Sequence, residues 1–349
     1  MVFSDKILDW YLKNKRDLPW RGSIDPYRIW LSEIILQQTR VAQGTPYYLS
    51  FVEAFPTVMD LAKAEEETVL KLWQGLGYYS RARNLHTAAK MVIDEYEGEF
   101  PNTYEKLLTL KGVGDYTASA ISSICFNERQ AVVDGNVYRV LSRYFGVDTA
   151  INIAAGITYF KKLAQEVLHH SNVRDYNQGI MEFGAMQCTP KNPDCINCPL
   201  QNGCIAFKEK KTDSLPIKLK KTKVRKRFFN YLVPVFVDAN GVESTVLNQR
   251  TGKGIWQNLW EFPLLESDVE IDLTAIKKRY IEVLELKTKP IISIFNSDAV
   301  VHKLSHQHLH TRFWILEIDE SIANSVPVAE LEKYPVPVLI STFMNAFKF

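Results

Sequence analysis

Cysteine is scarce in this chain and unevenly placed. Of five cysteines in 349 residues, four fall within "CTPKNPDCINCPLQNGC" at positions 188 to 204. Long apolar runs are missing too, since no stretch approaches the roughly 18 residues of a membrane span. The opening "MVFSDKILDWYLKNKRDLPW" has neither an apolar signal core nor a small-residue cleavage site. These absences predict a chain without a membrane association, in a reducing bacterial cytoplasm, where a dense cysteine group reads as a metal site and not as a disulfide framework. Net charge is nearly absent as well: 42 basic against 40 acidic residues leave +2, only a weak overall pull on a polyanion. No internal repeat of fixed period appears, and no low-complexity segment beyond one basic run.

What is present divides in two. Up to about residue 207, "SDKILDWYLKN", "PYRIWLSEIILQQTRVAQ", "LAKAEEETVLKLW", "RARNLHTAAKMVIDEY", "YTASAISSICF", "NVYRVLSRYFG" and "GITYFKKLAQEVLHH" place apolar residues three and four apart, the helical period. An all-α domain over 1–207 follows. The run 208–227, "KEKKTDSLPIKLKKTKVRKR", carries ten Lys or Arg and two acidic residues and reads as a basic linker that adds phosphate attraction to a neighbouring site. Beyond it, "FFNYLVPVFVDANGVESTVLNQR" alternates about a "DANG" turn. One helical run near 273–286 and further strands at "IISIFNS" and "TRFWILEID" complete an α+β domain over 228–349.

The four clustered cysteines follow C-x6-C-x2-C-x5-C, which lacks the paired C-x2-C knuckles of a zinc ribbon and offers no histidine. Four thiolates in one compact loop suit a [4Fe-4S] cluster better than zinc, one sulfur per iron. Cys125, in "SAISSICF", reads as a small buried hydrophobe. In "LLTLKGVGDYTASAI" one helical run stops at Gly112-Val113-Gly114 and the next begins at once, so unpaired N–H groups at a helix start could hold a phosphate, although helical hairpins of this kind are also common structural turns. Asp134 precedes a helical run, as an N-cap would. Glu33 sits among Trp30, Leu31, Ile34, Ile35 and Leu36, where an apolar wall would favour its protonated form and suit it to general acid work, if it does not simply face solvent.

Taken together, "SEIILQQTRV", "QGLGYYSRARNLH", "LKGVGDYTASA", "VVDGNVYRV" and the cysteine loop resemble the helix-hairpin-helix DNA glycosylases, and specifically the adenine DNA glycosylase family. "RTGKGIWQNLWEFP" and "HKLSHQHLH" look like that family's Nudix-like C-terminal domain, so the likeness covers nearly the whole chain. The fold it implies is a multidomain one: an all-α helix-hairpin-helix domain with a [4Fe-4S] loop held by Cys188, Cys195, Cys198 and Cys204, followed by an α+β Nudix-like domain. The activity it implies is removal of adenine mispaired with 8-oxoguanine or guanine in double-stranded DNA, by a monomer.

By the same resemblance Glu33 is the general acid toward adenine N7, Asp134 stabilises the positive charge developing on the sugar, Tyr116 lies close to that sugar carbon, and Asn136 orients carboxylate and water. Related glycosylase-lyases carry a lysine where Tyr116 stands; Lys111 lies before the turn, so a monofunctional enzyme is expected. Gln38, Thr39, Leu76 and Tyr78 are implied to enter the base stack, and Arg16, Leu18, Trp20, Arg21 and Gln178 to shape the adenine pocket. Leu304, Ser305 and His306 match a loop that touches 8-oxoguanine, with Leu304 in place of the usual phenylalanine. No Nudix catalytic signature follows Gly252 or Gly254, so the second domain reads as a recognition module. The competing functions are an oxidised-pyrimidine glycosylase-lyase, against which Tyr116 speaks, and a non-catalytic iron-sulfur DNA-binding protein, which would need neither Glu33 nor Asp134.

Overall fold

A computed structural model describes residues 2–219, 224–323 and 325–349. Its contacts separate two compact units, Met1–Lys63 with Asn84–Lys220, and Ala64–Arg83 with Lys221–Phe349. The helices before the linker are α1 (Phe3–Asn14), α2 (Pro26–Leu36), α3 (Val41–Ala54), α4 (Val58–Lys63), α5 (Glu66–Leu72), α6 (Ser80–Tyr96), α7 (Tyr104–Leu107), α8 (Asp115–Phe126), α9 (Gly135–Phe145), α10 (Ala154–Glu166), α11 (Val173–Met186) and α12 (Ile205–Lys208). Their ends follow local chemistry. Asp25 caps α2 by accepting from Tyr27 N, with Pro26 preset for the first turn, and Asn172 caps α11 through Asp175 N. Gly146 closes α9 at φ 67°, where a side chain would be strained. Within the first unit α2 packs on α8, and α11 packs on α1, α8 and α9. Trp30, Leu31, Ile35, Ile121, Leu141 and Phe183 are buried in its core.

One periodic run, "LAKAEEETVLKLW", is not a single helix. The chain is extended at Glu65 (φ −68°, ψ 138°), which separates α4 from α5. α5 and the turn after it group with the second unit, ahead of the boundary near 207 that the composition suggests. They are fastened there by several bonds: Glu66 Oε1 accepts from Asn258 Nδ2 (2.5 Å), Lys71 Nζ donates to Tyr334 O (3.2 Å), Val336 N donates to Gln74 Oε1 (3.1 Å) and Arg83 Nη1 to Gln257 O (2.8 Å). Val69, Leu70 and Trp73 are buried.

The second unit is built on β1 (Arg225–Val237), β2 (Glu243–Thr245), β3 (Asn248–Gln249), β4 (Trp260–Glu261), β5 (Leu264–Ser267), β6 (Ile291–Ile294), β7 (Val300–Lys303), β8 (Gln307–Glu317) and β9 (Val326–Pro327), with α13 (Leu273–Arg279) and α14 (Val338–Phe347). The main sheet runs β6-β8-β1-β2-β9, with β5 added on β1 and β7 on β8, while β3 and β4 pair separately. β1 and β8 are parallel from Arg225 opposite Gln307 to Val235 opposite Glu317. Arg225–Arg227, which composition assigned to the linker, are therefore already strand; linker residues 220–223 lie outside the described residues. The "DANG" turn forms as expected, with Asp238 Oδ1 accepting from Asn240 N and Val242 N. The helical run near 273–286 is shorter than its pattern, ending at Arg279 and tightening into a 3₁₀ turn at Tyr280–Glu282. Leu232, Leu265, Ile276, Trp314 and Leu316 anchor this unit's core. Among the described residues no helix is long and apolar enough to cross a membrane.

Candidate active site

Four elements of the first unit bring the chemistry together. α2 carries Glu33 beside the buried Trp30, Leu31, Ile34 and Ile35. Glu33 keeps some accessible surface, yet protein crowds it enough that burial raises its carboxyl to about 7, aided by the nearby Asp134 charge and opposed by the Tyr116 hydrogen bond and Arg21. Tyr116, in the first turn of α8, donates its hydroxyl to Glu33 Oε2 at 2.7 Å and lies 3.2 Å from Met181 Sδ of α11. Burial, then the Glu33 and Asp134 charges, push the Tyr116 phenol well above its ordinary value, so it remains a proton-bearing donor.

Asp134 is indeed the N-cap of α9, and its cap geometry does not use up its chemistry. Oδ1 accepts from Asn136 N (2.9 Å) and Val137 N (2.8 Å), and Oδ2 from Asn136 Nδ2 (2.8 Å). Burial raises its carboxyl, while these three donors and Arg139 act the other way, for the anion. Asn136 is itself oriented: its Oδ1 accepts from Arg139 Nη2 at 2.8 Å, which leaves its amide nitrogen turned to Asp134. Arg139 continues to Gly184 O (2.6 Å) and Cys188 O (2.7 Å). α11 comes so close here that a Cβ on Gly184 would stand 2.6 Å from Asn136 Cβ.

The cysteine loop is held from α9. Arg143 points Nη1 at Cys188 Sγ (3.4 Å) and donates to Thr189 O, Pro190 O and Leu215 O. All five cysteines are free thiols. Burial raises the Cys195, Cys198 and Cys204 thiols, and the charge of the sister cysteines raises each further, so the four sulfurs share one electrostatic neighbourhood. Among the described residues no three His, Cys, Asp or Glu side chains could hold a metal ion between them. A cube of four irons asks less convergence of its ligands than a single ion, because each sulfur binds its own iron, and this donor set with Arg143 beside it fits such a group. Cys125 is apart from this loop; burial pushes its thiol up to about 12.

The first unit also holds a cavity of about 320 Å³ lined by Tyr11, Arg16, Arg21, Ile24, Arg174 and Gln178. Arg16, Arg21 and Gln178, expected from the sequence to shape one pocket, do line one cavity, and a residue the sequence did not single out holds the two arginines. Glu182, 1% exposed, accepts from Arg16 Nε (2.7 Å), Arg16 Nη2 (2.7 Å), Arg16 N (3.1 Å) and Arg21 Nη2 (2.6 Å). Burial works against its charge, and the hydrogen bonds from Arg16 and Arg21 outweigh it, taking the carboxyl to about 2. Its spacing of four from Gln178 was the available signal, since both share one face of α11. Trp20 is buried edge-on against Tyr48, and Leu18 is half-buried in the preceding turn; neither lines this cavity.

The hairpin has the expected form. Gly112 has φ +78°, and a Cβ there would meet Asn84 Cβ at 2.7 Å. Val113 is buried, and Gly114 is the N-cap of α8 and supplies no side-chain cap. Gln38 is exposed and left-handed (φ 56°), and Thr39 donates to Gln37 O. Tyr78, in the second unit, is 54% exposed and left-handed at φ 49°, a costly backbone state that presents its ring outward. Leu76, also expected in the base stack, is 6% exposed in the DNA-free protein, with its N donating to Trp73 O at 3.2 Å. In the same unit a cavity of about 600 Å³ is lined by Tyr78, Ser80, Trp256, Leu304, Ser305 and His306, and the Tyr78 and Ser305 hydroxyls are 2.6 Å apart. Leu304 is half-buried in a tight turn (Leu304 N to Gln307 O, 2.8 Å), with Ser305 and His306 exposed at its tip.

Residues 31–161 match the HhH-GPD superfamily base excision DNA repair protein family, and residues 234–346 the NUDIX domain. The adenine DNA glycosylase of Buchnera aphidicola subsp. Schizaphis graminum is 36% identical over 313 residues, covering 88% of this chain and 86% of that protein. The chain belongs to the adenine DNA glycosylase family. The Arabidopsis thaliana adenine DNA glycosylase is 39% identical across 79% of this chain and 49% of that longer protein. Among solved structures, a thermostable thymine-DNA glycosylase superposes with a TM-score of 0.55 at 32% identity, over 59% of this chain and 95% of that one. A trapped endonuclease III–DNA covalent intermediate does so at 0.52 with 23% identity, over 59% and 94%, a likeness of fold. The chain is thus a DNA N-glycosylase of base excision repair, with the helical and Nudix-like domains its sequence predicts.

Proposed function

We propose that the chain removes adenine opposite 8-oxoguanine or guanine from duplex DNA by hydrolysis, leaving the strand intact. The observation that carries this reading is the trio Glu33, Tyr116 and Asp134: a carboxyl raised to about 7, hydrogen-bonded to a phenol and sensing a second carboxylate held by three donors. Two carboxyl groups in unlike environments are what glycosidic bond cleavage asks for. Adenine leaves the base stack first, at a cost of a few kcal/mol that a mispair lowers. Protonated Glu33 gives its proton to N7 of the flipped adenine, and the bond from C1′ to N9 breaks with its electron pair going to the neutral base. The Asp134 carboxylate stabilises the cationic sugar, with Asn136 fixing its orientation. Water then adds its oxygen to C1′ and yields its proton to the Glu33 carboxylate left by the first step, which restores the acid. No amine stands where Tyr116 does, so no Schiff base forms and no strand is cut.

In this reading Glu182 holds Arg16 and Arg21 at the rim of the base pocket, and Gly112-Val113-Gly114 takes a backbone phosphate. Gln38, Thr39 and Tyr78 face the stack around the mispair, and Ser305 and His306 contact the opposite base. Cys188, Cys195, Cys198 and Cys204 would hold a [4Fe-4S] cluster, which would cross-link the loop and do no chemistry on adenine. The test is a panel of duplexes with adenine opposite 8-oxoguanine, guanine or thymine, and one with thymine glycol, read for alkali-labile sites and borohydride trapping. Alkali-labile sites at both adenine mispairs without trapping are expected; release of thymine glycol, or no adenine release, refutes the reading.

A further inference from the structure

Helix α8 starts at Asp115, immediately after the glycine turn, with no side chain capping its first N–H groups. Such a helix start carries partial positive charge and open donors, and it attracts any anion near it. A carboxylate on its first residue has two effects. It steadies the helix, and it repels the phosphate that would otherwise take those donors. Asp115, however, is bonded by groups from two other helices. Its Oδ1 accepts from Tyr104 Oη of α7 and from Lys161 Nζ of α10. The Lys161 ammonium also stands 4.9 Å from the Tyr104 ring centroid and 3.2 Å from its hydroxyl, so one phenol, one cation and one anion form a closed cluster beside the hairpin. Partial burial of Lys161 lowers its pKa, a cost borne in bringing it there. As an exposed pair, with side chains 32% and 50% accessible, it adds little to fold stability.

We propose that Lys161 is a positioning residue for DNA binding: by neutralising Asp115, it leaves the start of α8 able to accept a duplex phosphate. This rests on the hairpin being the phosphate contact named above. A lone carboxylate within a few ångströms of a phosphate is repelled even through water-like surroundings, and loss of the lysine should weaken binding about tenfold.

Full-length protein is titrated with an undamaged fluorescent duplex of about 30 base pairs, by anisotropy, at about 50 and 200 mM salt. Lys161→Met should bind about tenfold more weakly at the lower salt, while Lys161→Arg keeps wild-type affinity. Asp115→Asn should bind at least as tightly as wild type, and Lys161→Met with Asp115→Asn should return to within about twofold of wild type. Wild-type binding by Lys161→Met overturns the proposal, as does a double variant as weak as the single one, because the lysine would then touch DNA itself or serve the fold. Gly114→Asp tests the underlying reading separately: a Cβ there meets nothing within 4 Å, so the variant folds and should bind weakly. Unchanged binding by Gly114→Asp removes the hairpin from the phosphate contact and the role of Lys161 with it.

Discussion

Replacing Glu33 by glutamine should abolish excision and, above neutral pH, make the protein more stable. In the unfolded chain this carboxyl ionises near its ordinary 4.5, whereas in the fold it does so at about 7. Below about pH 4.5 both states carry the proton and the site costs nothing. As pH rises through about 7 the unfolded chain gains from ionising while the fold pays to place a charge among Trp30, Leu31, Ile34 and Ile35, so stability is lost. The gap corresponds to about 3 kcal/mol at full ionisation, at about 1.4 kcal/mol per tenfold in acidity. A glutamine amide keeps an oxygen for Tyr116 to donate to and never ionises. Thermal unfolding followed by circular dichroism should therefore show the Glu33→Gln transition of the helical unit raised by about 5–10 °C at about pH 8, and coincident with wild type near pH 4.5. Equal melting at the higher pH, or a gain of the same size at both, would refute the argument that burial perturbs this carboxyl.

Tyr116→Phe removes a hydrogen bond that favours the Glu33 anion, so the alkaline limb of the single-turnover pH–rate profile should move upward; a downward or absent movement would contradict this. Glu182→Gln has the opposite linkage: its carboxyl ionises at about 2 in the fold, so its stabilisation is present above 4.5 and disappears as pH falls toward 2. The variant should lose about 3 kcal/mol in urea unfolding at neutral pH and much less near pH 2. Gly184→Ala forces a methyl to within 2.6 Å of Asn136 Cβ, which should cost about 1–3 kcal/mol of stability. Excision at saturating enzyme should fall at least tenfold as Asn136 loses its hold on Asp134, and an unchanged rate would mean that Asn136 has no such role.

The helical period and capping residues made the first unit's helices legible, because an amphipathic stripe and an aspartate or asparagine ahead of it are local signals. Glu33 and Asp134 could be proposed from an apolar wall and a cap, although only their shared contact with the surroundings of Tyr116 gives either one chemistry. Glu182 was hidden because a carboxylate in "QGIMEFG" looks solvated until Arg16 and Arg21, some 160 residues away, are folded onto it. Arg139 was hidden for the same reason, as its partners Cys188 and Gly184 come from a distant loop and helix. The break at Glu65 escaped notice because "AEEE" suits a helix well, and what decides against it is the tertiary attachment of α5.

That attachment bears on where the chain can be cut. Because Glu66, Lys71, Gln74 and Arg83 bond to residues between Gln257 and Val336, the second unit is assembled from two stretches separated by more than a hundred residues. A protease acting at the basic linker would open the backbone without releasing a complete module. A fragment beginning at 224 would lack α5, and one ending at 207 would keep Glu66, Lys71, Gln74 and Arg83 without these hydrogen-bond partners. The most obvious seam of this enzyme is therefore not the border between its two units, and a cut that respects the units would have to keep residues 64–83 together with the stretch beyond 220.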